Sequence, residues 1–171
     1  MIYVEPVVLG WRPILDSWIR GLNPIWAANQ EKVINELFHW LMDLCLEFIR
    51  KECRTTISAG EIHRAVSTMS IFQLLIENAI EDNPKIFDQY LIVWFQAAMI
   101  VSIVWGAAGT LDLESRHKFD TFYLSVWRGE CQKSPVPIIV TSDPISLPSE
   151  DPIHDQYYRS ESTKKYYRIV M

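Results

Sequence analysis

Apolar positions recur through most of this chain at the spacing that lines one face of an α-helix. Trp11, Leu15, Trp18 and Leu22 form one stripe and predict a first helix over 13–22, ended by Gly21 and Pro24. Ile34, Leu37, Phe38, Leu41, Leu44, Cys45, Phe48 and Ile49 predict a long second helix over 29–53. Asn29 is its candidate N-cap, and Glu31, Lys32, Glu36, Asp43, Glu47 and Arg50 lie mostly off the apolar face. Ser58-Ala-Gly-Glu61 has the form of a capping box, in which hydroxyl and carboxylate each satisfy an orphan amide. The stripe Ile62, Ala65, Val66, Met69, Phe72, Leu75 and Ile80 follows it as a third helix. Asn83-Pro84 reads as cap and first residue of a fourth helix running to about Val104. A fifth opens near Asp112, places Phe119, Phe122, Tyr123, Val126 and Trp127 at helical spacing, and stops at Gly129.

The two ends read differently. Met1-Ile-Tyr-Val4 has the character of a strand, and a strand needs partners that no later segment supplies for over a hundred residues. The chain is therefore expected to begin in the middle of something larger. Met1 to Gly10 lacks a positive leading region, so it does not read as a secretory signal. Beyond Gly129, Pro135, Pro137, Pro144, Pro148 and Pro152 crowd into a stretch that is extended and buries little, with a short strand expected over 136–141. Ser160 to Met171 mixes Lys164, Lys165 and Arg168 with Tyr166 and Tyr167 and reads as a frayed terminus. The fold class is mainly α: a bundle of about five helices with a short N-terminal strand and a Pro-rich extended tail.

One segment poses a choice. From Gln89 to Leu111 no side chain is charged, and Leu91 to Trp105 approaches the roughly 20 residues a bilayer span requires. Gln96 interrupts its middle, and Gly106-Ala-Ala-Gly109 ends it short of the roughly 30 Å to be crossed. Neither flank carries a Lys/Arg cluster. The neighbouring helices have apolar stripes that need a partner, and a helix apolar on all sides suits the centre of a helical layer. The segment is read as buried core, with a transmembrane helix near 90–109 as the alternative.

Composition narrows the chemistry. Of 171 residues, 49% are hydrophobic, enough for a core and too many for disorder. A net charge of −5 argues against nucleic-acid binding, which needs clustered cations. Three scattered cysteines (Cys45, Cys53, Cys131) point to a reducing compartment. No glycine is followed by lysine, so no G-x-x-x-x-G-K-[ST] phosphate loop occurs, and no apolar strand leads into Asp-Glu. Neither G-x-S-x-G nor H-E-x-x-H is present, and the four histidines lack metal spacing. This chain alone is expected to catalyse nothing and to hold no metal. Two cations remain as binding candidates. Arg64, in the first turns of the third helix, could face a phosphate beside aligned amides, or be a surface arginine paired with Glu61 or Glu77. Arg12, at the turn after Gly10-Trp11, carries the same two readings.

Several strings together resemble the dynein heavy chains at the junction between the second and third AAA+ modules of the motor ring. Met1-Ile-Tyr-Val-Glu-Pro6, Leu9-Gly-Trp-Arg-Pro13 and Ser17-Trp18 look like the last strand of one module's large subdomain and the start of its helical lid. Val93-Trp-Phe-Gln96, Ser102-Ile-Val-Trp-Gly106 and Gly109-Thr-Leu-Asp112 look like the apolar lid helix and its exit. Ser115-Arg-His-Lys-Phe-Asp120 with Phe122 is similar to the helix leading into the next module. Leu147-Pro148, Ile153-His-Asp155 and Tyr157-Tyr158 resemble the extended stretch beyond it. The likeness covers about residues 1–158. Gly60-Glu-Ile-His-Arg-Ala-Val66 matches only loosely, and the chain from Ser160 on does not match.

The resemblance implies a division into four parts: 1–10 as the end of a missing large subdomain, 11–111 as the lid, 112–130 as a connector helix and 131–171 as a poorly packed tail. It implies a non-catalytic piece of a minus-end-directed microtubule motor, relaying ATP-linked movement between modules. Neighbouring AAA+ modules would be its direct partners. Microtubules, intermediate chains and light chains would be reached through the parent, with no nucleic acid and no membrane involved. ATP or ADP with magnesium would belong to the parent motor and none to this chain; Arg64 and Arg12 stay nucleotide-edge candidates on their own position, since the loose match over 60–66 carries no such role to Arg64. The expected location is the cytoplasmic cytoskeleton, in a ciliary or flagellar axoneme. A free-standing helical interaction module is the blander alternative.

Overall fold

A computed structural model describes residues 10–22, 24–82, 90–131 and 135–142. Five helices of ten residues or more follow one another: α1 (Arg12–Gly21), α2 (Pro24–Glu52), α3 (Glu61–Asp82), α4 (Leu91–Ser102) and α5 (Leu113–Trp127). A π-helical turn, Ile103–Ala107, continues α4, and a single short helix, α6 (Ile138–Ser142), closes the described chain. The expected strand at 1–4, the cap at Asn83-Pro84 and the tail beyond 142 lie outside the described residues.

The central rod is α2, whose 29 residues span about 44 Å at 1.5 Å per residue. Its expected stripe is buried at Ile34, Leu37, Phe38, Leu41, Cys45 and Ile49, but Val33, Trp40, Met42 and Leu46 are buried as well. Burial therefore wraps most of the helix, because α1, α3, α4 and α5 all pack around it or one another rather than along one face. The joint between α1, α2, α3 and α4 is aromatic. Trp18, Phe38 and Phe72 meet at ring separations of 5.4–6.2 Å, and Phe72 continues to Phe95 at 5.6 Å. Trp18 also donates its indole N–H to Gln73 Oε1 at 2.9 Å, which gives a half-buried ring a polar anchor. Helix α5 folds back on α2, with Phe122 stacked on Phe48 at 4.0 Å and Trp127 edge-on to Trp40 at 5.0 Å.

The uncharged segment lies inside this assembly. Phe95, Met99, Ile100, Ile103, Val104, Ala107 and Ala108 are buried, and most of their contacts are with α3. Among the described residues no helix is long and apolar enough to cross a membrane.

Four local expectations need correction. Helix α2 begins at Pro24, not at Asn29; proline suits a first turn whose N–H has no helical acceptor. Ser58 is not the cap of α3: the helix starts at Glu61, and the Arg64 N–H donates to Gly60 O at 3.1 Å, so the box is out of frame by two residues. Residues 53–56 are drawn instead into pairing with 110–112, which holds the chain extended past the place where a helix could start. The fourth helix leaves α geometry at Ile103 and not at Val104, through the π turn. Residues 138–142 form a helical turn rather than a strand, with Val140 and Thr141 N–H both donating to Pro137 O; β-branched residues without a partner strand satisfy their backbone locally.

The start and end of α5 fall where the sequence places them. Asp112 accepts from the Ser115 N–H at 2.8 Å as N-cap. At the other end Glu130 N–H donates to Ser125 O and Gly129 N–H to Val126 O, with Gly129 at φ 73°, a Schellman close that favours glycine.

Candidate functional site

A polar junction lies where α3 begins and the π turn ends. An extended strap, 53–56, runs antiparallel to 110–112 through one bridge, Thr55 to Leu111. Thr56 N–H donates to Thr110 O at 2.8 Å and Asp112 N–H to Arg54 O at 3.2 Å. Arg54 N–H donates to Ser115 Oγ at 2.7 Å, so the first turn of α5 is tied to the same strap. The Cys53 thiol rests 3.9 Å from Ser115 O, and burial pushes it up to about 11.

Two arginines complete the junction. Arg64 is buried and donates through Nε to Ala59 O at 3.2 Å and through Nη1 to Ala107 O. Arg116 donates through Nε to Leu111 O at 3.0 Å and through Nη2 to Gly109 O at 3.4 Å. The carbonyl end of α4 and its π turn, the negative pole of that helix, thus faces two guanidinium groups. Burial holds the Arg64 pKa below the ordinary arginine value, because the charged form gives up its water. Close packing reinforces the charge arrangement. A Cβ on Gly106 would lie 2.6 Å from both Cα and N of Thr68, so the π turn sits directly on the α3 backbone. Thr68 turns its hydroxyl to Arg64 O at 2.8 Å.

Beside this junction a cleft of about 280 Å³ opens, lined by Ile49, Arg50, Thr55, Ser58, Glu61 and Arg64 among others. Glu61 pairs with Arg50 at 3.8 Å, not with Arg64. The second cation candidate stands elsewhere. Arg12 pairs with Asp43 of α2, whose other oxygen accepts the Trp11 indole N–H at 2.9 Å, and its guanidinium lies 5.9 Å from the Trp11 ring. Its side chain is 60% exposed. The two candidates therefore serve different joints: Arg12 fastens the start of α1 to α2, and Arg64 fastens α3 to the end of α4. Among the described residues no group of histidine, cysteine and carboxylate side chains could hold a metal.

The parts that sequence reasoning missed are the small and polar ones. Gly106, Thr68, Ser115 and Arg116 build the junction, and Asp43 anchors Trp11 and Arg12. Several of them lie in strings that carry a family likeness, Ser102 to Gly106 and Ser115 to Asp120, yet no spacing rule assigns them a partner.

A family model described as the dynein heavy chain AAA lid domain matches residues 34–167. The chain belongs to this family. The match takes in all of α3, α4, α5 and the junction between them. Among curated relatives, dynein axonemal heavy chain 3 of Homo sapiens is 31% identical over 172 residues, covering 95% of this chain and 4% of that protein. The Mus musculus protein of the same name is 31% identical over 167 residues, covering 92% of this chain and 4% of that protein. Dynein axonemal heavy chain 12 of Rattus norvegicus is 29% identical over 163 residues, covering 92% of this chain and 5% of that protein. The lid chain thus spans about 4% of the length of the relatives it matches. No solved structure matches it. In a lid of this family the string Ser115-Arg-His-Lys-Phe-Asp120 has a structural content. Ser115 and Arg116 close the junction, Lys118 pairs with Glu114 at 2.7 Å, and Phe119 and Asp120 are buried against the bundle.

Proposed function

We propose that this lid is a rigid relay in an axonemal dynein heavy chain, set between the second and third AAA+ modules of the motor ring. In this reading the neighbouring modules of the same heavy chain bind and turn over ATP with magnesium, and the lid passes the resulting movement on toward minus-end-directed travel along a microtubule. Intermediate and light chains associate with the parent rather than with this segment, and its place is the cytoskeleton of a cilium or flagellum. Neither nucleic acid nor membrane takes part.

The observation that carries the reading is the junction itself. A relay transmits displacement only if its parts do not give, and here α3, the end of α4 and the start of α5 are joined by backbone pairing, two arginines and a backbone-to-backbone contact at Gly106. Both arginines named from sequence keep a place in the proposal. Arg12 offers an exposed guanidinium beside Asp43 at the lid's edge, whereas Arg64 borders the cleft at the head of α3 with its guanidinium on Ala59 O and Ala107 O, so that it would meet a neighbouring module's nucleotide only by leaving them.

The test has two parts. The isolated chain should give a helical circular dichroism spectrum without detergent and no ATP turnover above background; robust turnover would refute the non-catalytic assignment. In a parent heavy chain carrying this segment, Gly106→Val should leave basal ATPase measurable while microtubule gliding velocity drops severalfold. Gliding at the unchanged rate with a demonstrably loosened lid would remove the relay.

A further inference from the structure

The π turn is not explained by its own sequence. Ile103-Val-Trp-Gly-Ala107 contains nothing that requires a five-residue hydrogen-bonded ring, and such turns are rare insertions that survive only where the surroundings hold them. What holds this one comes from α3. Ala108 N–H donates to Ile103 O at 3.0 Å, the wide-ring bond, while on the same turn Gly106 lies against Thr68 and Ala107 O accepts from Arg64.

Arg64 is an uneasy holder. It is 4% exposed, and its described acceptors are backbone carbonyls, with no carboxylate among them. Next to it lies the cleft of about 280 Å³, with Glu61, Thr55 and Ser58 on its wall, into which a long flexible side chain has room to turn and recover water. Two arrangements of one side chain, one buried on Ala107 O and one in the cleft, are the ingredients of a bistable contact.

We propose that Ile103–Ala107 is a two-register joint and that Arg64 is the positioning residue that selects its wide register. When Arg64 leaves Ala107 O, the turn closes to ordinary α geometry and the Ala108 N–H passes from Ile103 O to Val104 O. One residue is thereby removed from the ring, which advances the chain beyond it by about 100° and about 1.5 Å relative to α4. Leu111 is fixed to Thr55, and Ser115 at the start of α5 to Arg54, so the adjustment is taken up by residues 108–110, between the end of α4 and the strap. This is a property of the chain's own backbone and holds whether or not the lid serves a motor.

The test uses the full 171-residue chain. Through-hydrogen-bond NMR couplings identify the acceptor of the Ala108 N–H. In the wild type it is Ile103 O; in Arg64→Met it should become Val104 O, with amide exchange at 108–111 accelerated at least tenfold and amides of 37–46 in α2 unchanged. Arg64→Lys, which keeps a cationic N–H donor, should return a measurable share of the Ile103 coupling. Retention of Ile103 as acceptor in Arg64→Met overturns the proposal, and so does an exchange increase spread evenly over α2 and the joint. Should Arg64→Met not fold, relaxation dispersion on the wild type decides. Microsecond-to-millisecond exchange confined to 104–110 supports the joint, and flat profiles there overturn it.

Discussion

Single residues matter most in this lid where backbone meets backbone. Gly106 has the approach to Thr68 that no other residue type tolerates, and neither partner is the flexible end of a side chain. Gly106→Ala should therefore lower stability by about 1–3 kcal/mol, the ordinary cost of forcing one methyl group into a packed site. Urea unfolding followed by circular dichroism measures it, and an unchanged midpoint would mean that α3 and the π turn sit farther apart than described. Arg64 and Arg12 show how far a residue can be read in isolation. Their type and position in the chain mark both as cations at element starts. Only the packing shows that Arg64 is buried on carbonyls while Arg12 stays in solvent on Asp43. Burial could not be read because it depends on what covers the side chain, and Ala107 comes 43 residues later.

At the scale of elements, the long periodic stretches of α2, α3 and α5 were legible because a stripe repeated over several turns leaves few alternatives. The boundaries were less so: the start of α3 is decided by the strap at 53–56, and that strap exists only because 110–112 is available to pair with it. The Asp112 cap, a purely local device, is where the sequence put it. Its carboxyl is held below the ordinary value of 3.8, first by the Ser115 backbone N–H and then by the other hydrogen bonds and charges around it. Because the folded value is the lower one, the cap's contribution is complete above 3.8 and disappears as pH falls through the depressed folded value. Protection of the Ser115 amide, its exchange rate measured against the intrinsic rate at the same pH, should fall in that window, and Asp112→Ala should leave a low protection that no longer changes with pH. An Ser115 amide indifferent to acid would show that the cap contributes nothing.

For the molecule as a whole, the described surface still carries large apolar side chains. Leu74 is 58% exposed, Leu113 69% and Ile57 67%, and Val66, two turns before Leu74 on α3, is exposed as well. A lid that packs against neighbouring modules would cover such positions. The isolated chain should therefore self-associate, with its sedimentation coefficient rising with concentration, and Leu74→Lys together with Val66→Lys should suppress that rise. A monodisperse monomer at every concentration, melting cooperatively, would instead favour a free-standing helical module. The bundle itself was foreseeable from its number of stripes, since each amphipathic helix needs an apolar partner. The folding back of α5 onto α2 was not, because the stacking of Phe122 on Phe48 joins residues 74 positions apart with no pattern linking them.

The sequence by itself determined the helical class, the buried rather than membrane-spanning character of the segment from Leu91, and the family. Each of these rests on periodicity, composition or ordered strings that stay within reach along the chain. Tertiary structure alone decided where α3 begins, what the arginines hold, and that α4 ends in a π turn. Those outcomes depend on which distant backbone arrives to satisfy a hydrogen bond or to fill the space beside a glycine. Local preferences there differ by about 1 kcal/mol or less per residue, so the partner across the fold settles the matter.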